Sequence, residues 1–283
     1  MDQKKKKIIG AVGALAVVIA LYFLYQHWMF VETDNAQVEA HSVMIAAKVS
    51  GYVKEVKFEE GQKVKAGDLL VAIDERDYQN ALVQFQAEES SLKARYTDAE
   101  RNFSRLSQLY KSSAVSQQQY DAANASYSEL KARKDSLSAQ VAQAQLNLEN
   151  TKIRAPADGF IAKKSVEPGQ LAAVGVPLVG FVDNQSRWVV ANFKETEIED
   201  IKIGAKVDLA VDAITSRGYV GKVESISSAT GATFTLLPPD NATGNFTKVV
   251  QRVPVKIQFE GLSEEDVVKL RAGLSVQAKV HIH

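Results

Sequence analysis

The sequence predicts a modular, elongated α+β protein whose parts differ sharply in pattern. Three observations carry that class. A long uncharged apolar stretch opens the chain, a β-patterned segment occurs twice, and the gap between the two copies has a heptad period. In chain order the expected parts are an N-terminal transmembrane helix, one half of a β-sandwich, an antiparallel α-helical coiled-coil hairpin, the second sandwich half, and a small antiparallel β-barrel.

The opening stretch follows a basic run, Lys4 to Lys7, and no charged residue occurs from Ile8 to Val31. A helix needs about 20 apolar residues to cross a bilayer. Tyr22, Tyr25 and Trp28 gather at the far end, where aromatic rings favour the interface. Residues 1–7 are therefore a cytoplasmic tail by the positive-inside rule, residues 8–30 a single-pass anchor, and the rest lies across the membrane. A cleaved signal peptide fits less well, because the stretch is long and Tyr25-Gln26-His27-Trp28-Met29-Phe30 holds no small-x-small site.

The repeat aligns without a gap at a constant offset of 108 residues: Gly51 with Gly159, Glu59 with Glu167, Gly61-Gln62 with Gly169-Gln170, Gly67 with Gly175, and Leu70-Val71 with Leu178-Val179. Apolar positions agree as well (Val53 with Ile161, Phe58 with Val166). The halves are 45–74 and 152–183. Neither buries an apolar face alone, so together they make one pseudo-symmetric sandwich. The pair resembles the biotinyl/lipoyl-type flattened barrel, in which a tight hairpin between the halves bears a modified Lys. Here some 78 residues replace that hairpin, which leaves a lipoyl or biotinyl carrier subunit of an enzyme as the weakest reading.

The insertion, 75–151, is apolar at Tyr78, Leu82, Phe85, Leu92, Tyr96, Ala99, Phe103, Leu106 and Tyr110, then at Tyr120, Ala123, Tyr127, Leu130, Leu137, Val141, Ala144 and Leu148. Steps of four and three are a coiled-coil signature. No Gly or Pro interrupts Asp68 to Ala155. The polar break over 112–116 marks a tip between two antiparallel helices, with Ser116 as the cap of the second. Glu89 and Lys134 interrupt the seams. Folding about position 115 puts Lys134 opposite Tyr96 and Glu89 opposite Val141, so the two charges reach solvent separately.

Strands return over Trp188–Phe193, Val207–Val211, Gly218–Ile226, Val249–Phe259 and Val276–Ile282, with a short helix expected within Glu195–Ile201. Residues 187–283 thus form a small barrel, which a strand over 31–44 is expected to join. A Gly-, Pro-, Asn- and Thr-rich loop spans 230–248.

Composition narrows the chemistry. The 283 residues carry 34 Lys+Arg against 34 Asp+Glu and no Cys. That excludes disulfides, thiolate catalysis and Cys-ligated zinc, and leaves no basic footprint for nucleic acid. The four His are scattered, without partners at ligand spacing. No phosphate loop, zincin helix or nucleophile elbow occurs. The reading is a non-enzyme with no cofactor and no catalytic or metal site.

The order anchor, half-sandwich, hairpin, half-sandwich, barrel resembles the membrane fusion (periplasmic adaptor) family of HlyD type. Three segments sharpen the likeness: Thr151–Gly159 resembles the family's start of the second half-motif, while Ala191–Thr196 and Leu236–Phe246, followed by Lys248-Val249-Val250-Gln251-Arg252, resemble its EmrA branch. The resemblance implies a bacterial inner-membrane protein with its body in the periplasm. It implies a tripartite multidrug efflux pump, in which the adaptor forms a ring of six or three copies between a major-facilitator drug/proton antiporter and a TolC-like outer-membrane channel. An adaptor for type I (ABC) protein secretion is the alternative. Adaptors that meet a TolC-like duct carry Arg, Leu and Ser at spacings of four and seven at the hairpin tip, and Arg105, Leu109 and Ser116 match. By the same likeness Leu237, Pro238, Asn241, Gly244, Asn245 and Phe246 make a transporter-contact loop. The hairpin is shorter than in some EmrA relatives.

Overall fold

The structure is a computed structural model describing residues 28–234 and 250–282. The basic tail 1–7, the anchor up to residue 27 and the loop positions Leu237 to Phe246 lie outside the described residues. Among the described residues no helix is long and apolar enough to cross a membrane. Those residues form two compact units. One is Ser42–Val182, and the other joins the described residues on either side of it.

In Ser42–Val182 the repeat is a pair of matched strand sets. β2 (Gly51–Val56), β3 (Lys63–Val64) and β4 (Leu69–Ile73) recur as β6 (Gly159–Lys164), β7 (Leu171–Ala172) and the first part of β8 (Pro177–Lys194). β5 (Lys152–Arg154) corresponds to the end of β1 (Phe30–Ala46). The halves exchange strands: β2 pairs with β7 (Gly51 opposite Ala172), and β3 with β6 (Val64 opposite Gly159). The turn hydrogen bonds repeat with the same offset. Gly61 N–H donates to the Ile161 carbonyl and Gly169 N–H to that of Val53, both at 2.8 Å. Both glycines have positive φ, 81° and 85°, which side chains with a Cβ rarely adopt. The core draws equivalent residues from each half: Val53 and Ile161, Phe58 and Val166, Leu70 and Leu178, Ile73 and Phe181. One half alone would lose its partner strand and half its core, so the sandwich folds only when both halves meet.

Between the halves run α1 (Arg76–Lys111) and α2 (Gln117–Glu149), roughly 54 and 50 Å long at 1.5 Å per residue.

In the other unit β1 pairs with β12 (Ser275–His281), β12 with β9 (Lys206–Val211), β9 with β10 (Tyr219–Ile226), β10 with β11 (Arg252–Glu260) and β11 with β8, all antiparallel. β1 also pairs with β8, which closes a six-stranded ring and removes free edges. The Thr33 hydroxyl donates to the Asn192 carbonyl at 3.0 Å across that seam. Alternate residues such as Val189, Ala191 and Phe193, or Val207, Leu209 and Val211, fill the interior. The short helix expected within Glu195–Ile201 is a single 3-10 turn, Ile198–Asp200. The strand expected from Val249 begins at Arg252.

A six-residue helix, α3 (Glu264–Lys269), has too few residues to show a period, so the sequence pattern does not reveal it. Its signal is the capping box Ser263-x-x-Asp266. Asp266 is 3% exposed and accepts from the Ser263 hydroxyl (2.7 Å) and N–H (3.0 Å), from Arg217 Nη1 (3.0 Å to each oxygen) and from Tyr219 (3.4 Å). The Ser263 bonds, followed by the Arg217 charge, hold its carboxyl below the ordinary carboxylate range despite burial. A depressed folded-state pKa gives stability that is present above the unfolded value and lost as pH falls through the folded one. Asp266→Asn should therefore lower the denaturant midpoint at pH 7, and the gap from the parent should narrow as both are titrated below pH about 4. A gap unchanged with pH would place the loss in packing instead.

Candidate docking site at the hairpin tip

The hairpin is zipped towards its tip by an aromatic ladder from the predicted seam. Tyr96 meets Tyr127 (5.7 Å between centroids), Phe103 stacks on Tyr127 (5.1 Å, 8° between planes), and Tyr110 stacks on Tyr120 (4.9 Å, 16°). Rings at these separations add to the hydrophobic term by their quadrupoles. Lys134 lies over the Tyr96 ring with its ammonium 5.0 Å from the centroid. Its place opposite Tyr96 is the one the seam register requires, and the charge is accommodated by the π face rather than by Glu89. The Tyr96 hydroxyl sits 3.5 Å from that of Tyr127 and donates to Glu100 at 2.8 Å, and these bonds push the phenol above its usual range. The buried Leu82, Leu92, Ala123 and Ala144 continue the seam.

At the tip α1 ends when the Ser113 N–H turns back to the Tyr110 carbonyl and Ala114 N–H to that of Leu109, both at 2.9 Å. Ser113 takes φ 55°, which completes the reversal. Ser116 then caps α2 in a capping box: its hydroxyl accepts from Gln119 N–H (3.3 Å), and the Gln119 side chain accepts from Ser116 N–H (3.1 Å). The tip is thus held by its own backbone and a cap.

The three sequence-predicted tip residues have different surroundings. Arg105 is exposed and enters no ion pair among the described residues. Leu109 is 39% exposed, a turn further along the same side of α1 and off the seam that Phe103 and Tyr110 occupy. An exposed cation and an exposed leucine one turn apart suit a partner offering carbonyls or carboxylates around an apolar notch. Ser116 is exposed too, but its hydroxyl already serves the cap. Among the described residues no group of three or more His, Asp or Glu is arranged to hold a metal ion. Of the other candidate site, Leu237, Pro238, Asn241, Gly244, Asn245 and Phe246, none falls in the described residues.

Known proteins share this arrangement. A family model described as "RND MFP, barrel-sandwich hybrid domain" matches residues 41–182, the split sandwich with its inserted hairpin. The colistin resistance protein EmrA of Acinetobacter baumannii is 32% identical, over 99% of this chain and 96% of its own length. The multidrug export protein EmrA of Escherichia coli is 30% identical, over 94% and 80%. Among solved structures, a MacA–MexA chimeric protein containing the Pseudomonas aeruginosa MexA α-hairpin domain matches with a TM-score of 0.64 at 26% identity, covering 90% of this chain and 82% of that one. With the exchanged sandwich halves, the inserted hairpin and relatives matched over 96% and 80% of their own length, the chain belongs to the membrane fusion protein family.

Proposed function

We propose that this chain is the non-catalytic periplasmic adaptor of a tripartite multidrug efflux pump. It is anchored once in the bacterial inner membrane through residues 8–30, with the N-terminus cytoplasmic and the body periplasmic. It links a major-facilitator drug/proton antiporter to a TolC-like outer-membrane channel. The observation that carries this is the hairpin itself, a stiff arm inserted where a carrier domain would hold its modified Lys, with Arg105 exposed and Leu109 part-exposed near its tip. The relatives named for colistin resistance and multidrug export support the drug-efflux assignment.

The mechanism is structural. Energy comes from the transporter, and the adaptor supplies length, shape and a seal. Six or three copies stand as a ring around the pump. Arg105 and Leu109 dock on the outer channel, Ser116 keeps the tip rigid beside them, and the loop carrying Leu237, Pro238, Asn241, Gly244, Asn245 and Phe246 contacts the transporter.

Affinity purification of the full chain from its own membranes, followed by mass spectrometry of what co-purifies, tests the partner. A major-facilitator transporter is the expected outcome. An ABC exporter with its nucleotide-binding domain would move the chain to type I secretion. Because the matching family model carries the RND label, an RND transporter is the second reading that this experiment separates.

A further inference from the structure

The strand pairing brings several exposed apolar residues of the barrel unit to one end. The uncharged stretch of the sequence runs into β1 at Phe30. Phe30 pairs with His281 at the end of β12, and Val280 of β12 pairs with Val207 at the start of β9. The turn Lys202–Ala205, which leads directly into β9, therefore shares an end with Phe30. Lys222 opposite Lys206, Val255 opposite Ile226 and Arg252 opposite Lys194 carry the same end round through β10, β11 and β8.

Among the described residues of this unit the exposed large apolar side chains are Trp28 (72%), Ile203 (70%), Val250 (45%) and Val268 (45%). The first three lie at this end. Val268 lies on α3, between the end of β11 and the start of β12, at the opposite end.

Ile203 is the telling one. Six turns among the described residues share one geometry, with a backbone bond from the fourth residue to the first and a positive-φ glycine third. This is the type II pattern. Their second residues are Glu60, Ala66, Pro168, Val174, Ile203 and Ala272, so the turn itself does not require an apolar residue there. Gly204, at φ 86°, gives the tight reversal that projects Ile203 outward. Lys202 and Lys206 flank it, exposed and without an ion pair among the described residues, while Glu199 and Asp200 sit on the preceding 3-10 turn.

We infer that the Lys202–Ala205 turn is a second membrane contact, in which Ile203 enters the interface of the lipid bilayer while Lys202 and Lys206 meet lipid phosphates. An apolar side chain between two lysine stems suits that boundary. Glu199 and Asp200 stay in water and limit the depth to the tip of the turn. This rests on the reading of residues 8–30 as an anchor, which holds the barrel end at the bilayer and raises the local concentration of the turn there, so that a weak contact is occupied.

The chain has no Cys, so single-cysteine labelling is clean. Full-length Ile203→Cys, and Val268→Cys as the reference, would each carry an environment-sensitive nitrobenzoxadiazole probe. They would be reconstituted alone into vesicles of phosphatidylethanolamine and phosphatidylglycerol, with and without spin-labelled quencher lipid. The expected result is blue-shifted emission and loss of signal on quencher lipid at position 203, with neither at 268. A 203 probe as wet and unquenched as the 268 probe, in protein that floats with the vesicles, overturns the contact and leaves the anchor standing. A dry probe that quencher lipid does not reach means protein covers the turn, and also overturns it. Protein that fails to float removes the anchor, and the contact with it.

Discussion

Arg105→Asp combined with Leu109→Ala is expected to abolish export-dependent resistance while barely moving the thermal midpoint. Arg105 is exposed, and Leu109 is 39% exposed with no place in the aromatic ladder, so their replacement removes little buried packing. The fold should lose no more than about 1 kcal/mol, mostly helix propensity. Docking is different. Removing an apolar anchor and turning an attractive cation into a repulsive carboxylate costs about 2–4 kcal/mol per contact at an interface, or thirtyfold to a thousandfold in affinity. The checks are drug susceptibility of cells carrying the variant, its amount in the membrane, and its melting curve. Resistance lost together with a large fall in melting temperature would mean that the pair is packed within the hairpin. Resistance retained would remove the tip from the docking site.

The second large effect separates two glycines that occupy equivalent places in the repeat. A Cβ on Gly159 would lie 2.3 Å from the Val182 carbonyl oxygen and 2.5 Å from the Phe181 ring. A Cβ on Gly51 would meet only the Ile73 methyl at 2.6 Å, the position equivalent to Phe181, with the nearest backbone atom 3.9 Å away. The Ile73 atom is the Cγ2 methyl of a buried β-branched residue, so Gly51→Ala strains one side chain, whereas at Gly159 the added Cβ meets both a ring and a strand carbonyl that moves only with its ladder. Gly159→Ala should therefore cost about 3 kcal/mol or more, and Gly51→Ala about 1–2 kcal/mol. Denaturant unfolding of the two variants beside the parent gives the comparison. Equal losses would show that the Val182 strand yields as readily as a side chain.

Much of this architecture is legible in the amino-acid pattern because the forces involved are periodic and local. The seam through Tyr96, Phe103, Tyr110, Tyr120 and Tyr127 follows from heptad spacing, and the ladder has the register that folding about position 115 demands. Ser116 reads as a cap because a serine before a helical run satisfies an otherwise unpaired N–H. The small helix Glu264–Lys269 and its Asp266–Arg217 bond escaped that reading. A six-residue helix has no period, and an ion pair between residues 49 positions apart leaves no local trace.

By itself, then, the sequence determined the twofold repeat, the hairpin inserted into it, the uncharged stretch before β1 and the absence of thiol chemistry, all of which are properties of residue order and composition. Only the tertiary structure decided that the repeat halves exchange strands, that β1 closes the barrel against β8, that Leu109 stays part-exposed, and that Ile203 shares an end with Phe30. Each of these depends on which distant segments pair. Strand pairing is chosen by the combined burial of faces that no single segment can bury alone.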